Sequence, residues 1–430
     1  MERIHAMNTM IPAGAGEKMQ YIVHPFNDNT IRFVLRYPRL LNADVLQQAT
    51  FALASSVDVL HASFIAGKAK ACWQVNTVRP EDCFKHIITD ADPVPCALTE
   101  ALRPVSAGDP VQMRCILVQS TQESSVVLLI SHLCADGSDG KYLLRKLCEA
   151  YNMLYQTGSC ASLEVKNGSR AVEQVYTQLN KQDRLKLLKD PRTGVKSVFP
   201  FPTADAGHPS VLWRQIPAEQ MSAVHQKIKQ IGATVNDLLL TACYYAYAET
   251  VGIAQGEPIS IMSMMDLRRH CDGGDSEGLC NLTGPLVTAL PDGLKTTFGE
   301  TLAEISQQTR RNKEDPFAGL YGMPLLHGAA NKLPMALLLS AASHVYGSMS
   351  LGMTNVGNID RHTLQLENTP PITGWFGGPV KHKPGVQLSV ASFSGTCSLC
   401  FWNDTTDDDK IMLDQFLDRV IKYVIGDHQE

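Results

Sequence analysis

The sequence lacks the features that mark several large classes of protein. It has no uninterrupted apolar run of about eighteen residues, and its start, MERIHAMNTMIPAGAGEKMQ, has neither the cationic beginning nor the apolar centre of a secretory signal. It also has no basic block, because 38 lysines and arginines stand against 43 acidic residues, for a net charge of −5. We therefore expect a cytoplasmic protein with no transmembrane segment and no nucleic-acid partner.

Cysteine is too sparse for a disulfide-stabilised scaffold. Twelve cysteines are scattered over 430 residues, and several lie in apolar runs such as MRCILV and LTACYYA. Their pattern predicts reduced cysteines in the core, and no spacing of cysteine and histidine fits a zinc site, so we expect no metal. CSLC at Cys397–Cys400 has the CxxC spacing, but residues three apart on a strand face opposite sides.

The chain is long enough to form two domains. Hydrophobic residues make up 44% of it, which is enough for each half to bury a core of its own. Between Gly158 and Gly207 the sequence is rich in Gly, Ser, Pro and Lys, as linkers are. We therefore predict a first domain over 1–175, a linker over 176–207 and a second domain over 208–430.

Strands and helices are predicted to mix in the first half. Residues 20–37 favour a strand, a turn and a second strand, and Asn42 is predicted to cap a helix over 43–60. PVQMRCILVQS and SSVVLLISHL predict a hairpin whose second strand ends at His132. The spacing of the leucines that follow predicts an amphipathic helix from Ser138 to Gln156.

The second half mixes the two types of element as well. Thr234 and Asp237 match a capping box in front of a helix that is apolar almost all round. VQLSVASFSGTCSLCFWND predicts a hairpin turning at Gly395-Thr396, and a helix is expected from Asp407 to Ile425. The fold class is therefore α/β, or α+β.

His132, Asp136 and Gly137 form the pattern HxxxDG at the end of the buried strand. A histidine at an exposed strand end can present its imidazole to a cleft, where it can act as a general base. The plainer interpretation is a surface or capping histidine, with Asp136 as the cap of the next helix and Gly137 as a turn residue. The spacing alone leaves both interpretations open.

Four segments in order resemble motifs of the CoA-dependent acyltransferase superfamily, which includes chloramphenicol acetyltransferase, BAHD acyltransferases, condensation domains and polyketide-associated acyltransferases. SHLCADG resembles its HHxxxDG motif, and GATVNDLLLTACYYA resembles its ATVND helix. SMMDLRRHC followed by GLCNLTGP resembles its DxR strand and NxxG segment, and MTNVGNI resembles its SNxG strand. The first motif histidine is Ser131 here, while the second is His132.

The resemblance implies two chloramphenicol acetyltransferase-like subdomains in a V, with the active site in a tunnel between them. It implies that His132 is the general base and that Asp136 pairs with Arg268 to support the loop. Gly137 would allow the tight turn and close substrate approach. Thr354 and Asn355, on the SNxG strand, are candidates for substrate binding.

The implied activity is acyl transfer from a thioester, acyl-CoA or acyl carrier protein, to an alcohol or amine. No tightly bound cofactor is expected, because acyl-CoA or a phosphopantetheinyl thioester is the co-substrate. The partners would be a small-molecule acceptor and, as a further candidate, an acyl or peptidyl carrier protein, and we expect a monomer. Two alternatives stay open: a free-standing condensation domain that joins carrier-bound substrates, and a non-catalytic, condensation-like interaction module.

Two other patterns are better explained without chemistry. GDSEG at 274–278 fits GxSxG, but it has no apolar strand before it or apolar helix after it, so a loop is the better prediction. GSDGK lacks the spacing of a phosphate-binding loop and is predicted to begin a helix.

Overall fold

The architecture follows from a computed structural model, which describes residues 9–67, 70–189, 197–254, 256–346 and 351–426, without the side chains of 343–346. Part of the predicted linker, 190–196, lies outside these residues. The described residues form fourteen strands and twelve helices. The strands are β1 (Met10–Pro12), β2 (Thr30–Tyr37), β3 (Ala62–Ala66), β4 (Ala71–Val75), β5 (Phe84–Ile88), β6 (Met113–Gln119), β7 (Ser124–Ser131), β8 (His208–Ile216), β9 (Ile259–Asp266), β10 (Thr283–Leu290), β11 (Leu351–Ile359), β12 (Thr373–Gly377), β13 (Val386–Phe393) and β14 (Thr396–Thr405). The helices are α1 (Ala15–Tyr21), α2 (Ala43–Ser55), α3 (Pro80–Cys83), α4 (Pro93–Glu100), α5 (Gly137–Thr157), α6 (Lys181–Lys186), α7 (Ala218–Gln230), α8 (Val235–Val251), α9 (Phe298–Glu314), α10 (Met323–Lys332), α11 (Met335–Tyr346) and α12 (Asp407–Ile425).

The first half is built on a five-stranded sheet in the order β12-β2-β7-β6-β5. Its central strand, β7, has the sequence SSVVLLIS and is buried at every position, as a strand covered on both faces should be. One edge is β12, which comes from the second half of the chain and pairs antiparallel with β2. A strand of the second half therefore completes the sheet of the first.

The second half is built on a six-stranded sheet in the order β10-β9-β11-β13-β14-β8. The sheet is mixed, because β11 runs parallel to both β9 and β13 while the other neighbours are antiparallel. Helix α8 covers it and is buried almost all round, with a capping box of Thr234 and Asp237 at its start. A small third sheet, β1-β4-β3, lies at the N-terminal end of the described chain.

The interior has two large cores and a smaller one, and two of these three contain residues of both halves. The core around β7 and α5 also takes in Leu267, Leu282 and Leu320 of the second half, while a separate core surrounds α8. The third core contains Val34 of β2 together with Trp402 of β14, so it joins the two main sheets. The predicted domain bounds therefore stay a prediction, since apolar contacts cross them.

Most predicted elements are present, with local corrections. The hairpin of β6 and β7, the amphipathic α5 and the C-terminal α12 are confirmed. The strand predicted from residue 20 is wrong: α1 ends at Tyr21, and Ile22 and Val23 are buried in the turn that follows. Apolar residues that pack a turn into the core gave the same local pattern as a strand.

Two helix and turn positions also differ. Helix α2 is capped by Asn42 as predicted, but it ends at Ser55 rather than near residue 60, where a short 3-10 turn follows. The C-terminal hairpin turns at Ser394 and Gly395, both with positive φ, rather than at Gly395-Thr396. Each of the twelve cysteines is free, as predicted. No helix in the described parts of the chain is long and apolar enough to cross a bilayer.

Candidate active site

His132 lies in the loop between β7 and α5, directly after the last residue of the strand. Its backbone N–H donates to the carbonyl of Asn29, just before β2, at 2.7 Å. Because β7 is the buried centre of the sheet and β2 is its neighbour, the histidine backbone is held at the end of two rigid strands. The prediction of a strand-end histidine is therefore confirmed in its position.

The imidazole of His132 is bonded on one side only among the described residues. Nδ1 lies 2.9 Å from the carbonyl oxygen of Ala135. A carbonyl can only accept, so Nδ1 carries the proton and Nε2 keeps its lone pair. Burial lowers the pKa of His132 below its ordinary value, and Lys381 lowers it further, against the opposing charge of Asp136. The ring is therefore neutral at neutral pH, which a base requires.

The carboxylate of Asp136 is fully buried and accepts four hydrogen bonds. Oδ1 caps α5 by accepting from the backbone N–H groups of Ser138 and Asp139, each at 3.0 Å. Oδ2 accepts from Arg268 at 2.7 Å and from the backbone N–H of Leu282 at 2.8 Å. The ion pair of Asp136 with Arg268 that the resemblance implies is thus present, and so is the helix cap of the plainer interpretation.

Arg268 is the centre of a larger ionic cluster. It lies in the short 3-10 turn that follows β9. Its guanidinium contacts four carboxylates at 2.7 to 3.3 Å, those of Asp136, Asp139, Asp266 and Asp275. Burial opposes its charge, but these carboxylates raise its pKa further above the ordinary value. We call these five residues, with Lys166, the clamp.

Asp139 and Lys166 of the clamp were not predicted from the sequence. Asp139 is fully buried, pairs with Lys166 at 2.8 Å and accepts from the backbone of Cys280 at 2.8 Å. Burial and the nearby Asp136 raise the pKa of Asp139 to about 6, although Arg268 and Lys166 oppose this. Its position three residues after Asp136 places it on the same side of α5, but nothing local pointed to Lys166.

Gly137 lies where α5 meets the strand of the SNxG-like segment. A Cβ atom on it would lie 2.9 Å from Cγ1 of Val356 in β11. One turn further along α5, Lys141 donates to the carbonyl of Val356 at 2.6 Å. The absence of a side chain at residue 137 therefore lets β11 of the second half approach the helix that begins at the HxxxDG motif.

Thr354 and Asn355 are half-buried on β11, next to Val356. The amide oxygen of Asn355 accepts from the backbone of Gly357 at 2.9 Å, where the pairing of β11 with β13 is interrupted. Its amide nitrogen lies 3.4 Å from the oxygen of Asn236 at the start of α8. These contacts order the strand and link it to the ATVND-like helix, while a role in substrate binding stays a prediction.

Lys381 is a further charged group near the imidazole that the sequence did not indicate. It follows β12 in the stretch GGPVKHKPG, and its backbone bridges Asn27 on one side and Asn403 on the other. Its charge reaches His132, where it lowers the pKa of the imidazole. Burial lowers the pKa of Lys381 itself to about 8. No local pattern singles out this lysine among the 38 basic residues.

Comparison by sequence gives no relative. No model of a protein family matches the chain, and no curated protein matches it either.

Comparison with solved structures gives many proteins of similar fold. The trichothecene 15-O-acetyltransferase from Fusarium sporotrichioides matches with a TM-score of 0.71 at 11% identity, over 97% of this chain and 95% of that one. The first condensation domain of the calcium-dependent antibiotic synthetase matches with a TM-score of 0.70 at 12% identity, over 98% and 97%. Polyketide synthase associated protein 5 from Mycobacterium tuberculosis matches with a TM-score of 0.68 at 13% identity, over 94% and 96%. The chain therefore has the two-subdomain fold of the CoA-dependent acyltransferases and condensation domains.

Proposed function

We propose that the protein is an acyltransferase that moves an acyl group from a thioester to an alcohol or amine, with His132 as the general base. The observation that carries this proposal is the state of the imidazole. Its Nδ1 is bonded to the carbonyl of Ala135, its Nε2 has no partner among the described residues and can accept a proton, and its lowered pKa keeps the ring neutral.

The reaction needs one base and no protein nucleophile. Nε2 of His132 takes the proton of the acceptor hydroxyl or amine while the oxygen or nitrogen attacks the thioester carbonyl carbon. Collapse of the tetrahedral intermediate breaks the carbon–sulfur bond and expels the thiolate, which recovers the proton from the imidazolium. A thiol with a pKa of about 8 to 9 leaves readily, so the main demand on the protein is orientation.

The clamp supports this assignment by fixing where the base lies. Asp136 has no free lone pair for a substrate, because backbone groups and Arg268 occupy both oxygens. Its role is therefore to position the loop that carries His132, and Arg268 and Gly137 contribute to the same task. No tightly bound cofactor takes part, since the thioester is the co-substrate.

The replacement of the first motif histidine by Ser131 does not argue against activity. Ser131 is fully buried in β7, and its hydroxyl has no hydrogen-bond partner among the described residues. A side chain there packs inside the fold rather than facing a substrate. The substitution therefore removes no reacting group, which favours an enzyme over a non-catalytic interaction module.

The donor is acyl-CoA or an acyl carrier protein, and the fold is compatible with both. An acetyltransferase and condensation domains share it, and one of the latter, the starter condensation domain of rhizomide synthetase, was studied with C8-CoA and Leu-SNAC. A free-standing condensation domain is thus the second candidate. Transfer from an acylated carrier protein but not from the matching acyl-CoA would favour it.

The test is to incubate the protein with a panel of acyl-CoAs and acceptors and to measure free thiol and product mass. We expect acceptor-dependent thiol release and a loss of roughly 10²- to 10⁴-fold in kcat/KM for His132→Ala. His24→Ala is the matched control, because the exposed His24 makes the same kind of bond, from Nδ1 to a carbonyl three residues away, at 2.8 Å. Full activity of His132→Ala would refute the assignment.

A further inference from the structure

Lys381 carries a charge that the protein does not neutralise. The residue is half-buried, and its ammonium group forms no hydrogen bond or ion pair with any residue that the structure describes. Burial lowers its pKa to about 8, but the group still keeps its charge over much of the neutral range. A half-buried cation without a protein partner is available to an anion that enters the site.

Asp28, the carboxylate whose charge raises the pKa of Lys381, already has partners of its own. Its Oδ2 pairs with the buried Arg32, and its Oδ1 accepts from the backbone of Thr30 at 3.1 Å and of Val380 at 2.9 Å. Asp28 therefore steadies the strand end and the chain before Lys381. It attracts the ammonium group only through space.

The backbone places Lys381 at the same end of the sheet as His132. Asn27 bridges Lys381, while Asn29, two residues later, accepts from the backbone N–H of His132. On the other side, Gly378, three residues before Lys381, lies against β11, since a Cβ on it would lie 3.7 Å from Cγ2 of Thr354. The backbone of Lys381 thus lies between the two halves, at the sheet end that carries His132.

We propose that Lys381 binds a carboxylate of the substrate, so that the enzyme selects an acyl acceptor or an acyl group that bears one. A carboxylate would supply the missing ion pair, and the place of Lys381 at the same sheet end as His132 would bring the reacting group toward the base. The phosphates of CoA do not fit this role, because the length of the pantetheine arm separates them from the thioester. Calling the bound molecule a substrate rests on the proposed function, whereas the binding of a carboxylate by Lys381 does not.

Binding is tested without any transfer reaction. Lysines of the full chain are methylated reductively under limiting reagent, and mass spectrometry of the peptides gives the rate at Lys381. Lactate, malate and leucine are compared with lactamide, malamide and leucinamide, and succinyl-CoA is compared with butyryl-CoA. Lys383, which pairs with Asp409, is the internal control.

We expect at least one carboxylate to slow the labelling of Lys381, but not of Lys383, while its neutral partner does not. Protection by the free acids assigns the carboxylate to the acceptor, and protection by succinyl-CoA alone assigns it to the acyl group. Equal labelling in the presence of every acid and its neutral partner overturns the proposal. A protein that shows protection but no transfer would instead remove the proposed function and keep the anion site.

Lys381→Met and Lys381→Arg connect the site to selectivity. For a protected acid, the ratio of its kcat/KM to that of its neutral partner should fall roughly tenfold or more in Lys381→Met, mainly through KM, and should recover partly in Lys381→Arg. The ratio cancels any effect of the lysine on His132. The melting temperature of Lys381→Met should equal or exceed that of the parent, because the uncompensated charge is gone. A ratio that stays unchanged in Lys381→Met, or a lower melting temperature, would contradict the proposal.

Discussion

Asp136 and His132 lie on one loop, four residues apart, but they differ in burial and in the number of hydrogen bonds that their side chains form. Asp136 is fully buried and accepts four hydrogen bonds. His132 is half-buried, makes one side-chain bond among the described residues and faces the charge of a lysine that itself has no partner there. The contrast fits the two tasks of the proposed mechanism, in which Asp136 positions the loop and His132 reacts.

The largest expected effect is a loss of stability when Asp136 is replaced. Asp136→Ala leaves Arg268 buried with fewer counter-charges and removes the cap of α5, so the free energy of unfolding should fall by about 3 to 5 kcal/mol. Denaturant unfolding followed by circular dichroism measures it. Asp275→Ala is the control, because this carboxylate contacts the same arginine at 3.3 Å but its side chain is 62% exposed. It should cost only about 0 to 1 kcal/mol.

The double variant Asp136→Ala/Arg268→Met makes the same comparison sharper. If Asp136 and Arg268 act as a pair, the double variant should lose less free energy of unfolding than the two single variants lose in sum. We expect a coupling of roughly 0.5 to 3 kcal/mol. Strict additivity would mean that the carboxylate acts only as a helix cap. The distinction between a clamp and a cap would then have to be withdrawn.

A smaller effect is expected at Gly137, where the two halves meet. Gly137→Ala would bring Cβ within 2.9 Å of Val356, whose carbonyl is held by Lys141, so we expect a loss of about 1 to 3 kcal/mol in stability. Gly299→Ala is the matched control: it also lies in the first turn of a helix, and a Cβ there has no neighbour within 4 Å. That variant should be neutral or slightly stabilising. Similar losses in both variants would show that crowding against β11 is not the cause.

The sequence predicted best what local patterns encode. The strand before His132, helix α5 and the capping box of Thr234 and Asp237 each depend on residues within a few positions of one another, and all are present. The pairing of Asp136 with Arg268 spans 132 positions, and only the resemblance to known motifs indicated it.

What the sequence missed depends on long-range contacts. Lys166 reaches the clamp from a stretch that is poor in regular structure, and Lys381 reaches the imidazole from the segment after β12. Strand β12 itself joins a sheet built from the other half. In each case the partner lies far away in the chain and no periodic pattern or spacing marks it, so only the tertiary fold reveals the contact.

The smallest expected effect concerns His132 and Lys381 and is a change in the pH dependence of activity. Because His132 must be neutral to accept a proton, kcat/KM should rise with pH as the imidazole loses its proton. The midpoint should lie below the ordinary pKa of histidine, about 6.5, since burial and Lys381 both lower it. Lys381→Met removes the positive charge that disfavours protonation, so the midpoint should move up and activity at mildly acidic pH should fall. In the variant, burial would still lower the pKa of the ring, and the charge of Asp136 would oppose it without the lysine. A midpoint that stays in place in Lys381→Met would mean that the lysine and the imidazole are not electrostatically coupled, and His132 and Asp136 would then differ only in burial and hydrogen bonding.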